Sequence, residues 1–253
     1  MPIPPQWDLH RKTALVTTSG HFATPFLAAA LAEAGARVAV AGGPQDALDA
    51  VRQAVSIHDS DIPVFPADVT DPSSVNRAVQ QTLEAHGRLD ILVNNCQLVA
   101  AKPFLETTLE EFDQVLNQNL RSVFLFCRAA AEHMTGQGNG RIVNVSSVLA
   151  ERGVQNMAAY CASMAGIAQL TRVLGLELSR TDIRVNGIGP GWFIEEDRSL
   201  EDQQQELLAR FLPSRRYGHP RDLAALLVYL CSDVCGFVAG HTVYVDGGAL
   251  ARL

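Results

Sequence analysis

Short apolar runs bounded by turn residues alternate along this chain with longer segments whose apolar positions recur at helical spacing. The runs at 14–17, 38–41, 64–66, 91–94, 142–145, 184–188 and 242–245 predict strands. Segments 25–34, 45–55, 73–85, 110–134, 156–179 and 220–231 predict helices between them. Such alternation implies an α/β fold: a single doubly wound domain, with a seven-stranded parallel sheet and helices on both faces. Ligands of such sheets bind beyond the carboxyl ends of the strands. The proline-rich start, with Pro2, Pro4 and Pro5, reads as a loose arm over 1–10, and the domain proper runs over 11–253. The long irregular stretch at 191–218 reads as a helical lid over the site.

Composition narrows the function. A chain of 253 residues is long enough for one sizeable core. A net charge of −7 with no basic stripe argues against nucleic acid and anionic membranes as partners. The five cysteines form no Cys-x-x-Cys pair and read as reduced thiols of a cytoplasmic protein. Neither a leader nor an apolar run of membrane length is predicted. The seven histidines have no ligand spacing, so no metal site is expected.

The candidate chemistry lies in "GRIVNVSSVLAERGVQNMAAYCASMAGI", where a strand leads to Ser147 and then to a helix bearing Tyr160. This segment resembles the catalytic segment of the short-chain dehydrogenase/reductase family, a serine followed by Tyr-x-x-x-Lys, which implies a Rossmann-like fold. Met164 stands where the resemblance places the lysine. Residues four apart share a helix face, so that lysine would lower the pKa of the tyrosine. Moving a phenol from ~10 to near neutrality takes roughly 3 units, or about 4 kcal/mol. Methionine supplies none of this. Tyr160 is then a neutral hydrogen-bond donor and a poor base, and Met164 itself reads as a core filler.

Other positions depart from the same resemblance. The family's glycine-rich loop reads Thr17-Thr18-Ser19-Gly20-His21-Phe22-Ala23-Thr24 here, with Thr18, Phe22 and Thr24 in the three glycine positions. Those glycines normally permit a tight turn and close approach of a pyrophosphate. Thr24-Pro25 reads as an N-cap with proline at the first helical position. Gly42-Gly43-Pro44 offers neither the carboxylate nor the arginine that would meet a ribose or its phosphate, and Cys96-Gln97 replaces a smaller pair on the cofactor floor.

Some positions match. Asp68 and Val69 fit the adenine contact, with a helix cap as the alternative for "DVTD". Asn95 fits the cofactor floor. Asn119 fits the asparagine of the proton relay, with a satisfied buried amide as its alternative. The halohydrin dehalogenases, which resemble this family, replace the glycine loop by Thr-x4-aromatic-x-small. By that resemblance Phe22, Gly191, Trp192 and Phe193 would wall an anion pocket.

Three functions follow. The first is non-redox small-molecule chemistry or binding at Ser147 and Tyr160, with Asn119 in support and no cofactor. The second is an NAD(P)H-dependent carbonyl or alcohol oxidoreductase with an atypical loop, its cofactor held by Asp68, Val69 and Asn95. The third is a catalytically silent homologue acting as a subunit or binding protein. The two broken positions, loop and lysine, favour the first or third. The resemblance further implies a homotetramer or homodimer, with helices 110–134 and 156–179 packing against their copies through residues such as Val123, Phe124, Phe126, Ile167, Leu170 and Leu174.

Overall fold

The computed structural model describes residues 7–58 and 62–252. Seven parallel strands form one sheet: β1 (Thr13–Thr18), β2 (Arg37–Gly42), β3 (Val64–Pro66), β4 (Ile91–Asn94), β5 (Gly140–Val145), β6 (Ile183–Pro190) and β7 (Thr242–Val245). Their spatial order is β3-β2-β1-β4-β5-β6-β7. The helices are α1 (Thr24–Glu33), α2 (Gln45–Val55), α3 (Pro72–His86), α4 (Leu109–Leu116), α5 (Ser122–Gln137) and α6 (Ala158–Glu177), then the short α7 (Leu200–Gln204) and α8 (Leu207–Phe211), and α9 (Ala224–Cys231).

Successive strand side chains point to opposite faces, and both faces of this sheet are apolar. Val16, Val40, Val93 and Val143 pack with Leu27 and Leu31 of α1, Leu48 of α2 and Leu227 of α9. Leu15, Leu92 and Ile142 pack on the other face with Val79 of α3, Phe126 of α5 and Ile167 of α6. Burial on both faces explains why the strands read as unbroken apolar runs rather than as alternating ones.

Several local expectations are corrected. The helix predicted over 110–134 is two helices joined by a π-helical turn at Asn117–Arg121. The last predicted helix opens as a 3-10 turn, Pro220–Leu223, before α9. Thr24 does not cap α1 through its side chain; Ala23 takes the N-cap position and the Thr24 hydroxyl points into the loop network described below. The predicted arm lies outside the described residues as far as position 6. Its described end is packed, not loose: Leu9 is fully buried and Trp7 meets Tyr229 with ring centroids 6.0 Å apart. Val123, Phe126 and Ile167 are buried within this chain, so they offer no surface to a copy, whereas Phe124 is exposed. Among the described residues no helix is long and apolar enough to cross a membrane.

Candidate active site

The strand order reverses beside β1, whose neighbours are β2 and β4. At such a switch point the loops diverge and leave a crevice above the strand ends. In this chain polar side chains bridge the crevice floor. Thr17 Oγ1 accepts from the Asn95 backbone N–H at 3.1 Å. Ser19 Oγ accepts from the Gln97 N–H at 2.8 Å and donates to its carbonyl at 3.1 Å. The threonines in the glycine positions have partners as well. Thr24 Oγ1 lies 3.1 Å from Thr18 Oγ1, donates to the His21 carbonyl at 2.9 Å and accepts from Asn95 Nδ2 at 2.9 Å. Next door Gly42 has φ +134°, and a Cβ there would run into the Thr18 carbonyl oxygen. Glycine at that strand end is therefore a steric requirement.

Ser147 neighbours the Tyr160 phenol. Ser147 follows β5, and its Oγ accepts from Leu149 N–H at 3.2 Å, which fixes the loop. Tyr160 lies in the first turn of α6. Both are buried, at 8% and 6% exposure. Burial pushes the Tyr160 phenol up to about 12, against a smaller opposing effect of the neighbouring Ser147 hydroxyl. Tyr160 therefore carries its proton throughout the neutral range. Met164 is fully buried and packs in the same cluster as Tyr160, Val148, Leu149 and Ile167, in keeping with a core filler.

The Tyr160 hydroxyl donates to Gln97 Oε1 at 2.8 Å. Sequence reasoning registered Gln97 only as bulk on the cofactor floor. A long amide where the resemblance expects glycine was the available signal, but its reach to a residue 63 positions away depends on loop geometry. Asn119 sits in the π-helical turn, fully buried. Its Oδ1 accepts from Leu98 N–H at 2.6 Å, and its Nδ2 donates to the Leu98 carbonyl at 3.1 Å and to Ser163 Oγ at 2.9 Å. Ser163 in turn donates to the Tyr160 carbonyl at 2.7 Å. Asn119 thus joins the loop carrying Gln97 to the helix carrying Tyr160.

Asp68 and Val69 line a cavity of about 330 Å³ together with Pro44, Gln97 and Leu98. The cap of α3 is Asp71, which accepts from Ser74 N–H at 2.8 Å. Asp68 instead accepts from the Thr70 hydroxyl and backbone, which hold its carboxyl below the usual range. Phe22 stacks on His21 with centroids 4.6 Å apart and borders a second cavity of about 460 Å³. The two cavities share Thr18, Ser19 and Pro44. Trp192 and Phe193 line a third space of about 260 Å³ with Tyr217 and Asp246, while Gly191 packs tightly on Asp246. The four residues of the expected anion pocket are therefore not brought to one cavity, and the acidic residue Glu195 borders the one that Phe22 lines. Among the described residues no cluster of three His, Cys, Asp or Glu side chains is placed to hold a metal.

Comparison with known proteins bears on these alternatives. The family model described as enoyl-(acyl carrier protein) reductase matches residues 26–249. The chain is 31% identical over 252 residues to a 2-dehydro-3-deoxy-D-gluconate 5-dehydrogenase of Formosa agariphila, covering 98% of this chain and 96% of that one. A short-chain type dehydrogenase/reductase from Mycobacterium marinum superposes with a TM-score of 0.89 at 32% identity, covering 98% and 99% of the two chains. A gluconate 5-dehydrogenase from Burkholderia cenocepacia J2315, in complex with NADP and tartrate, gives 0.88 at 28% identity, covering 98% of each. These relatives are named as oxidoreductases. That overturns the preferred expectation of non-redox, halohydrin-dehalogenase-like chemistry or a silent homologue, and the NADP-bound neighbour tells against the expectation of no cofactor. The altered loop and the missing lysine are filled positions: the Thr18 and Thr24 hydroxyls lie in contact, Thr24 accepts from Asn95, and Met164 packs in one cluster with Tyr160. The chain belongs to the short-chain dehydrogenase/reductase family.

Proposed function

We propose that this protein is an NAD(P)H-dependent oxidoreductase of small carbonyl compounds that works in the reductive direction. The observation that carries the reading is the buried, proton-bearing Tyr160 hydroxyl beside Ser147, at the carboxyl edge of the parallel sheet. The crevice can receive a dinucleotide: the two adjoining cavities run across the ends of β1 and β2, and Asp68 and Val69 would hold the cofactor there, whereas Asn95, expected on the cofactor floor, is fully buried and spends its amide on Thr24. When bound, the reduced nicotinamide supplies the hydride. Ser147 orients the substrate oxygen, and Tyr160 gives that oxygen its proton as negative charge develops on it.

The phenol at about 12 suits this direction. A developing alkoxide is nearly as basic as hydroxide, whose conjugate acid, water, titrates near ~15.7. It therefore takes a proton from such a phenol without an ammonium nearby. The reverse reaction needs the phenolate at neutral pH, roughly 5 units below the phenol's pKa and so about 7 kcal/mol uphill. At neutral pH reduction thus draws on the protonated phenol that Met164 leaves in place, and oxidation gains on it as pH rises.

The relatives' names direct the substrate search to the 2,5-dioxo acid that oxidation of 2-dehydro-3-deoxy-D-gluconate at carbon 5 yields, and to 3-oxoacyl groups on acyl carrier protein. Their substrate-dependent oxidation of NADH or NADPH is the test. Tyr160→Phe is expected to lower kcat roughly 10²- to 10⁴-fold; a Tyr160→Phe protein as fast as the wild type would remove the reading. Assembly as a homotetramer or homodimer through α5 and α6 belongs to the same proposal, supported by the exposed Phe124, Val173 and Leu176.

A further inference from the structure

The contact between Gln97 and Tyr160 has an asymmetry that suggests a role. The Gln97 backbone is pinned on both sides by Ser19 Oγ, at 2.8 and 3.1 Å. Its side-chain nitrogen faces three oxygens, Asn95 Oδ1 and the Val145 and Ser146 carbonyls, each at 3.4 Å. Three acceptors on that side orient the amide, nitrogen toward the carbonyls and oxygen toward the phenol. All three bonds are long beside the usual ~2.9–3.0 Å, so they hold the side chain weakly. The one short bond is the one it accepts from Tyr160, at 2.8 Å. Gln97 also lines the cavity of Asp68 and Val69, so a space adjoins the position it would vacate.

An amide carbonyl accepting a hydrogen bond from the tyrosine hydroxyl has the geometry and chemistry of a substrate carbonyl at the same hydroxyl. We propose that Gln97 is a built-in surrogate for the substrate oxygen, a gating residue that occupies Tyr160 in the free protein and must swing aside before a carbonyl or amide oxygen of a ligand takes its place. Each turnover would then exchange one acceptor for another at the phenol, which stays satisfied although buried. The catalytic meaning of the gate rests on Tyr160 being the proton donor; the hold on the phenol does not.

The test is an ultraviolet titration of the full chain in which the Tyr160 phenolate signal is isolated by subtracting the matching Tyr160→Phe protein. It is run in the wild type, in Gln97→Ala and in Gln97→Asn. The asparagine keeps an amide for the carbonyl partners but is one methylene too short for the phenol, and it serves if the alanine protein fails to fold. Loss of an acceptor that favours the neutral phenol, with entry of water, is expected to lower the Tyr160 pKa by at least one unit in both variants. KM for oxo acid substrates should fall five- to tenfold. An unmoved phenol pKa in the folded variants overturns the proposal whatever the rates, and so does a lowered pKa with KM unchanged in an active protein. A lowered pKa in proteins that consume neither NADH nor NADPH would uphold the hold on Tyr160 and sink the oxidoreductase reading instead.

Discussion

The Thr24 hydroxyl accepts a hydrogen bond of 2.9 Å from the Asn95 side-chain amide, tying the start of α1 to the loop after β4. The hydroxyl also serves Thr18 and the His21 carbonyl, and both Thr24 and Asn95 are fully buried. Thr24→Val keeps the shape and deletes these bonds, leaving buried polar groups unpaired. A loss of about 1–3 kcal/mol is expected, read as a lower urea midpoint with an unchanged slope. A midpoint equal to that of the wild type would mean that the threonine loop is packing without polar content.

The phenol at about 12 separates the two directions of catalysis. Tyr160 holds its proton from pH 6 to 9, so carbonyl reduction should be flat in pH over that range. Alcohol oxidation needs the phenolate and should climb tenfold per pH unit across the same range. Paired pH–rate profiles check this, and an oxidative profile that levels off near neutrality would show a base other than Tyr160 at work.

How much of this was legible in the chain depends on the distance over which each residue acts. The sheet was legible because two-sided burial writes each strand as an apolar run, and Ser147 and Tyr160 were legible because a strand, a loop and a helix fix their spacing locally. The break at Asn117–Arg121 was not, since a π-helical turn leaves the chain helical on both sides of it. Gln97 and Thr24 were visible as substitutions, but their partners lie 63 and 71 positions away. Without those partners, a filled glycine position and a degraded one look alike, and the functional expectation leaned the wrong way for that reason.

His21 gives the protein an acid sensitivity. Burial pushes its imidazole down to about 4 from the ordinary ~6.5. The unfolded chain therefore binds a proton that the folded one refuses, and stability is lost as pH falls from about 6.5 toward 4. The slope from one such group is at most about 1.4 kcal/mol per pH unit. His21→Gln should flatten the fall in Tm between pH 6.5 and 4.5; a variant with the same pH dependence as the wild type would assign the acid loss to other groups.

Restoring the family lysine is expected to cost stability rather than repair anything. Met164 is fully buried among Tyr160, Val148, Leu149 and Ile167, and the nearby Ser146 hydroxyl is already committed to the Met164 carbonyl at 3.0 Å. A lysine there would be desolvated, which lowers its pKa in the folded state below the ~10.4 of the unfolded chain. The folded protein then binds fewer protons than the unfolded one, so Met164→Lys is least stable at low pH and recovers as pH rises toward 10. Keeping that lysine neutral at pH 7 costs about 4.6 kcal/mol. Urea unfolding at pH 7 and pH 9 should show the gap from wild type narrowing by roughly 2.7 kcal/mol. A gap that stays constant with pH would mean that the ammonium remains charged beside Tyr160, and a fall in the phenol's own pKa would then accompany it.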